Sequence, residues 1–331
     1  MNRHLIVAAI SVLAAGSALA QSSVTIYGRL NLSAEQQKNV NAVGTQSVLQ
    51  NSASRIGFKG TEDLGGGLKA GFQIEHGFNA DTGTAGASFW GRQSEVNLSG
   101  AFGKIRLGNF ISEAYFATTD YISMHNHDTG TSENKLYAYV GCNAGGCYSN
   151  RNKIAYRTPE LVKGLTLEGA VSAGEGQAGQ PRSYDAAANW NLGALQLGAG
   201  YQKAGSAKQF AVRALYAMGP VVLGAYFQDD TNGYGAGLGS RKSYRVSAAY
   251  NVGKSEFHLN YGMADDYSKR ANSDASQWTA GYNYNLSKRT KVYAFYTAVD
   301  NGAGLSYFGA TNSRGQVLDS NILAVGVRHN F

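Results

Sequence analysis

Leu323-Ala324-Val325-Gly326-Val327-Arg328-His329-Asn330-Phe331 is the stretch that decides the fold. Leucine, two valines, a histidine and a phenylalanine hold the odd positions; alanine, glycine, arginine and asparagine hold the even ones. A period of two sends successive side chains to opposite faces of a strand, so one face is apolar and the other small or polar. The same reading extends outward through the chain. In residues 24–32 the even positions are apolar or glycine, and the odd ones are Thr25, Tyr27, Arg29 and Asn31. Ile56 and Phe58 oppose Arg55, Gly57 and Lys59. Phe257, Leu259, Tyr261 and Met263 oppose Glu256, His258 and Asn260, while Trp278, Tyr282 and Tyr284 oppose Gln277, Thr279 and Asn283.

Composition agrees with such strands. The 331 residues include 43 Gly, 21 Tyr and only 3 Pro, and mean hydropathy is −0.27 despite 11% aromatics. Beyond residue 21 no long apolar segment occurs, so neither a membrane helix nor an ordinary soluble core is indicated. Pro159, Pro181 and Pro220 fall at turns or loops, where a missing N–H disturbs no ladder. The formal charge of +7 contains no run of five or more basic residues, which argues against a nucleic-acid partner.

The first twenty residues read as a secretory signal peptide. Arg3 and His4 form a basic head, residues 5–15 are apolar apart from Ser11, and Ala18-Leu19-Ala20 supplies an A-x-A-type cleavage site. The apolar run is well short of the roughly 20 residues that span a bilayer. Residues 21–331 then form one domain. In an oxidising compartment Cys142 and Cys147, separated by a flexible spacer, are expected to form a disulfide.

Connections alternate in length along the chain. Tight turns fall near residues 62–67, 99–103, 159–164, 191–193, 218–220, 251–254 and 286–289. Longer polar segments fall near 35–50, 79–86, 110–150, 229–239, 264–274 and 301–318. Short turns on one side and long loops on the other mark an all-β, antiparallel, up-and-down transmembrane barrel of about 16 strands. A soluble sandwich also alternates, but its strands average about 5–6 residues. Segments of about 9–12 suit tilted membrane strands with aromatic girdles at both interfaces.

The sequence resembles the trimeric general porins of Gram-negative bacteria, of the β-proteobacterial and neisserial type. The likeness is carried by Ser-Val-Thr-Ile-Tyr-Gly at 23–28, Ser-Arg-Ile-Gly-Phe-Lys-Gly-Thr-Glu-Asp-Leu-Gly-Gly-Gly-Leu-Lys-Ala-Gly-Phe at 54–72, Gly-Lys-Ile-Arg-Leu-Gly at 103–108, Leu-Ser-Lys-Arg-Thr at 286–290 and the ending Val-Gly-Val-Arg-His-Asn-Phe at 325–331. It implies an outer-membrane homotrimer passing small hydrophilic solutes and ions, in contact with lipopolysaccharide and outer-membrane lipid. Phe331 resembles the terminal signal read by the barrel assembly machinery. The resemblance also implies a long third external loop folded into the lumen, which 110–150 fits; Cys142 and Cys147 depart from the usual pattern there.

Strand parity sends Arg29, Arg55, Lys59, Lys104, Arg106, Arg151, Lys153 and Arg157 toward the lumen, and the resemblance adds Arg92, whose parity matches Val96 and Leu98 instead. The inward loop supplies Glu113, Asp120, Asp128 and Glu133. A basic wall facing an acidic loop predicts a transverse field and a preference for anions. No catalytic constellation is evident. There is no G-x-S-x-G elbow, and residues 233–239 do not fit G-x-G-x-x-G. His125 and His127 read as solvated loop residues rather than metal ligands, and no cofactor is implied. A substrate-specific channel and an adhesin remain the alternatives. Saturation by one solute class would mark the first, and ligand binding with a blocked lumen the second.

Overall fold

The computed structural model of the chain describes residues 23–122, 134–143 and 146–331. The segment read as a leader, residues 1–20, lies outside them. Strands β1 (Ser23–Lys38), β2 (Thr45–Asn51), β3 (Arg55–Gly65), β4 (Leu68–Asn79), β5 (Thr84–Ala85), β6 (Gln93–Gly100) and β7 (Gly103–Asn109) precede helix α1 (Glu113–Thr118). After it come β8 (Cys142–Asn143), β9 (Gly146–Cys147), β10 (Lys153–Arg157), β11 (Leu165–Ser172), β12 (Ser183–Leu192), β13 (Leu195–Ala204) and β14 (Ala207–Met218). The wall is completed by β15 (Val221–Thr231), β16 (Ser240–Val252), β17 (Ser255–Ala264), β18 (Ala275–Asn285), β19 (Thr290–Asn301) and β20 (Ser320–Asn330).

Each spanning strand pairs antiparallel with its neighbours, and β1 closes the sheet by pairing with β20. With β2 and β3 taken as one interrupted strand, and the two-residue β5 set aside, sixteen strands form the closed barrel. Closure is what lipid demands, because an open edge would leave backbone N–H and C=O groups without partners. At the seam Gly28 and Phe331 exchange both backbone hydrogen bonds, at 3.0 and 3.1 Å. A Cβ on Gly28 would overlap the Phe331 ring, so glycine makes room for the aromatic cap of the last strand.

Side chains follow the period of two. Val246 and Leu259 are each 58% exposed toward lipid, whereas Arg245 and Asn260, one position along, are 1% exposed inside the barrel. The interior is thus largely polar. An exception is a small apolar cluster of Val40, Tyr293, Phe295, Ile322 and Ala324 near the long-loop end.

The expected long loop at 35–50 is corrected: β1 continues to Lys38 and β2 begins at Thr45. Above the bilayer the outward face no longer has to be apolar, so the alternation fades while the ladder continues. A bulge then separates β2 from β3. Leu32 faces Asn51 and Arg29 faces Arg55, so three residues, Ser52 to Ser54, oppose two on β1. Ala53 takes φ 56° to accommodate the extra residue. The insertion flips parity. Gln50 and Arg55 both point inward although one is even and the other odd.

Candidate functional site

The loop after β7 enters the barrel and follows its wall. Ser112 caps α1, accepting from Ala114 N at 3.1 Å. The helix lies on the inner face of β12–β14, and a Cβ on Gly198 would overlap the Ala117 carbonyl oxygen. Arg213 Nη1 donates to Phe116 O at 3.3 Å. The return limb is fixed by wall amides. Ala138 N donates to Gln228 Oε1 at 2.8 Å, Gln228 Nε2 donates back to Ala138 O at 3.1 Å, and Lys135 N donates to Gln277 Oε1 at 3.0 Å. Asn134 Nδ2 donates to Tyr226 OH at 2.5 Å and to Thr119 Oγ1 at 3.0 Å, joining the two limbs. Cys142 and Cys147 are disulfide-bonded across the β8–β9 ribbon, where the loop turns back toward β10.

The loop leaves a cavity of about 720 Å³ against the opposite wall. Its basic side holds Arg29, Arg55, Arg92, Lys291 and Arg328. Register shows why four of these converge. Lys291 on β19 faces Arg328 on β20, and Arg29 on β1 faces Arg55 on β3, so the cations form a row across four adjacent strands. Like charges placed directly opposite destabilise a sheet, and here it happens twice. Glu75 tempers one end, 2.5 Å from Arg92 and 3.7 Å from Arg55, and Glu256 tempers the other, 3.1 Å from Lys291. Arg29 Nε donates to Asn330 Oδ1 at 3.1 Å. Among the lining residues five cations face two carboxylates, Glu75 and Asp120.

Arg92 reaches this row despite its parity because β6 begins only at Gln93, and Arg92 sits in the bend before it. Several other residues assigned to the constriction wall are elsewhere. Lys59 lines a separate recess with Lys104, its ammonium 5.3 Å from the Tyr27 ring. Arg106 is buried against Glu95 at 2.5 Å and Glu168 at 3.6 Å, with its guanidinium 4.0 Å from the Phe110 ring. Lys153 is buried 2.7 Å from Asp185. Arg151 lines a neighbouring cavity together with Arg92. Inward parity alone did not distinguish a solute-facing cation from one neutralised behind the loop.

Of the loop acids, Asp120 lines the cavity, while Glu113 pairs with Arg157 and accepts from Asn189 Nδ2 at 3.0 Å. Burial pushes the Glu113 carboxyl above its ordinary value, although Arg157 opposes the shift. Asp128, Glu133, His125 and His127 lie outside the described residues. Sequence reasoning missed Lys291 and Arg328, yet Arg328 alternates with Val325 and Val327 and was legible as inward. It also missed the loop's aromatic surface. Tyr115, Phe116, Tyr121 and Tyr139 line the cavity opposite the basic row.

A solute entering the barrel therefore meets a basic row on one side and a folded loop on the other. The sequence profile of the Gram-negative porin family matches residues 7–304. The chain belongs to the Gram-negative porins. It is 33% identical to outer membrane porin protein 32 of Delftia acidovorans, over the full length of both chains. It is 28% identical to the major outer membrane protein P.IB of Neisseria meningitidis, over 96% of this chain and 97% of that one. The solved anion-selective porin from Comamonas acidovorans superposes with a TM-score of 0.73 at 27% identity, covering 94% of this chain and all of that one. This porin is thus an outer-membrane protein whose closed barrel holds a passive, water-filled path for small hydrophilic solutes.

Proposed function

We propose that this porin is an anion-preferring, homotrimeric general diffusion channel. The row formed by Arg29, Arg55, Arg92, Lys291 and Arg328 carries the reading. Low-dielectric walls and few waters make each charge at a narrow section count, so a cationic excess raises local anion concentration and repels cations. Similarity to the Comamonas acidovorans anion-selective porin supports the same preference, and the trimer rests on family likeness. Lipopolysaccharide is the expected lipid partner. Lys203 and Lys208 face each other near the loop end of the lipid-facing wall, an arrangement suited to phosphate groups. Assembly through the barrel machinery would use the β20 end with Phe331, after a leader of residues 1–20 has been removed. The activity is permeation rather than catalysis.

The test is single-channel conductance and reversal potential of the refolded mature chain in planar bilayers with a potassium chloride gradient. Linear conductance in steps of three with anion preference is the expected result. Clear cation preference would overturn the selectivity, and a monomer on native gels would overturn the trimer.

A further inference from the structure

The loop side of the cavity is, among the described residues, more aromatic than acidic. Among the described residues the loop contributes one lining carboxylate, Asp120, but four aromatic rings. Three of these rings adjoin one another, and Tyr121 lines the same cavity. Tyr115 lies 5.3 Å from Phe116 and 5.6 Å from Tyr139, ring centre to ring centre. Tyr121 is 58% exposed and Tyr139 40%, so both present ring area to the lumen instead of packing it away. Exposed aromatic surface facing a row of cations across a water-filled channel calls for an occupant. Opposite stand guanidinium groups, whose planar forks match a carboxylate through two parallel hydrogen bonds.

Resting on the anion-preferring reading, we propose that the cavity is a transit site for aromatic carboxylates. The carboxylate engages the arginine row while the flat ring stacks on the loop tyrosines. Neither wall suffices alone. Small inorganic anions use only the basic row, and neutral aromatics gain nothing from it. Ring stacking of this kind strengthens occupancy by about fivefold, enough to retard a solute without trapping it.

The full-length refolded protein in planar bilayers tests the proposal with chloride, cyclohexanecarboxylate and benzoate as sodium salts. Benzoate current should saturate with concentration, cyclohexanecarboxylate should saturate about fivefold less readily, and chloride current should stay linear. In the double variant Tyr121→Ser/Tyr139→Ser benzoate should saturate about fivefold less readily, as cyclohexanecarboxylate does, while the chloride reversal potential set by the basic row stays at the wild-type value. Both positions are exposed, and heat-modifiable gel mobility verifies that the barrel has formed. Benzoate behaving like cyclohexanecarboxylate in the wild type, or benzoate saturation unchanged in the double variant, would overturn the aromatic site while leaving anion preference in place. Cation preference in sodium chloride would instead remove the anion-preferring reading on which the proposal rests.

Discussion

Arg241 on β16 is buried, 2.8 Å from Asp230, with the rings of Tyr234, Tyr267 and Tyr307 at 4.8, 4.9 and 5.0 Å. Its Nη2 also donates to Leu136 O at 2.9 Å, so this one side chain ties the inward loop to three external loops. Arg241→Met leaves Asp230 as an uncompensated buried charge, a loss of about 3–5 kcal/mol. The urea midpoint of the refolded variant should fall, and Asp230→Asn added to it should recover part of the loss. Two variants equal to wild type would mean that the pair is not structural. Glu113 gives a second residue-level test. Its raised carboxyl value means that the native chain binds more protons than the unfolded one just above the ordinary carboxylate range. Stability contributed at this site therefore falls as pH rises through that window and recovers as pH falls. Glu113→Gln should flatten this part of the stability profile in the weakly acidic range. An unchanged slope would assign it to other groups.

Helix α1 shows how an element is held by what its neighbour lacks. Gly198 and Gly200 open the inner face of β13, where a Cβ would strike the backbone of Ala117 or Ala114. In Gly198→Val the wall still forms, because valine suits a strand, but the helix must shift into the lumen. Single-channel conductance should drop by about half, a magnitude set by the few ångströms a branched side chain requires. Conductance at the wild-type level would show that α1 can reseat elsewhere. The same scale explains which elements could be read in advance. β17, β18 and β20 cross the lipid, where every outward residue must be apolar, and their faces were legible residue by residue. The β1–β2 hairpin rises above the lipid, that constraint lapses, and its strands were taken for a loop. Arg55 is read inward from the alternation of its own strand, whereas Arg92 depends on a feature invisible to alternation, a strand that starts only after it. Glycines on β13 carried a signal too, since two in one inward register mark a close approach, but nothing in the sequence named the partner.

Among the interior cations of the described residues two groups stand apart. Arg106, Lys153, Arg157 and Arg241 are matched to carboxylates and brace the barrel and its loop. The row from Lys291 to Arg92 lines the cavity and outnumbers its acids. Formal charge, +7, cannot separate these groups; position against the cavity does, since Arg55, Arg92 and Lys291 also lie beside carboxylates. The division makes a prediction about salt. At about 0.1 M the screening length is about 10 Å, so charges on rims and vestibules also act on a passing ion; at about 1 M it is about 3 Å, and only charges lining the narrow section still act. Anion preference should therefore weaken between these salts but persist at the higher one. The double variant Arg55→Gln/Arg328→Gln should keep much of its preference at low salt and lose most of it at high salt. Reversal potentials across tenfold gradients at the two ionic strengths measure both. If the wild-type preference vanishes at high salt, selectivity belongs to the distributed charge of the barrel, and the five-cation row loses its role.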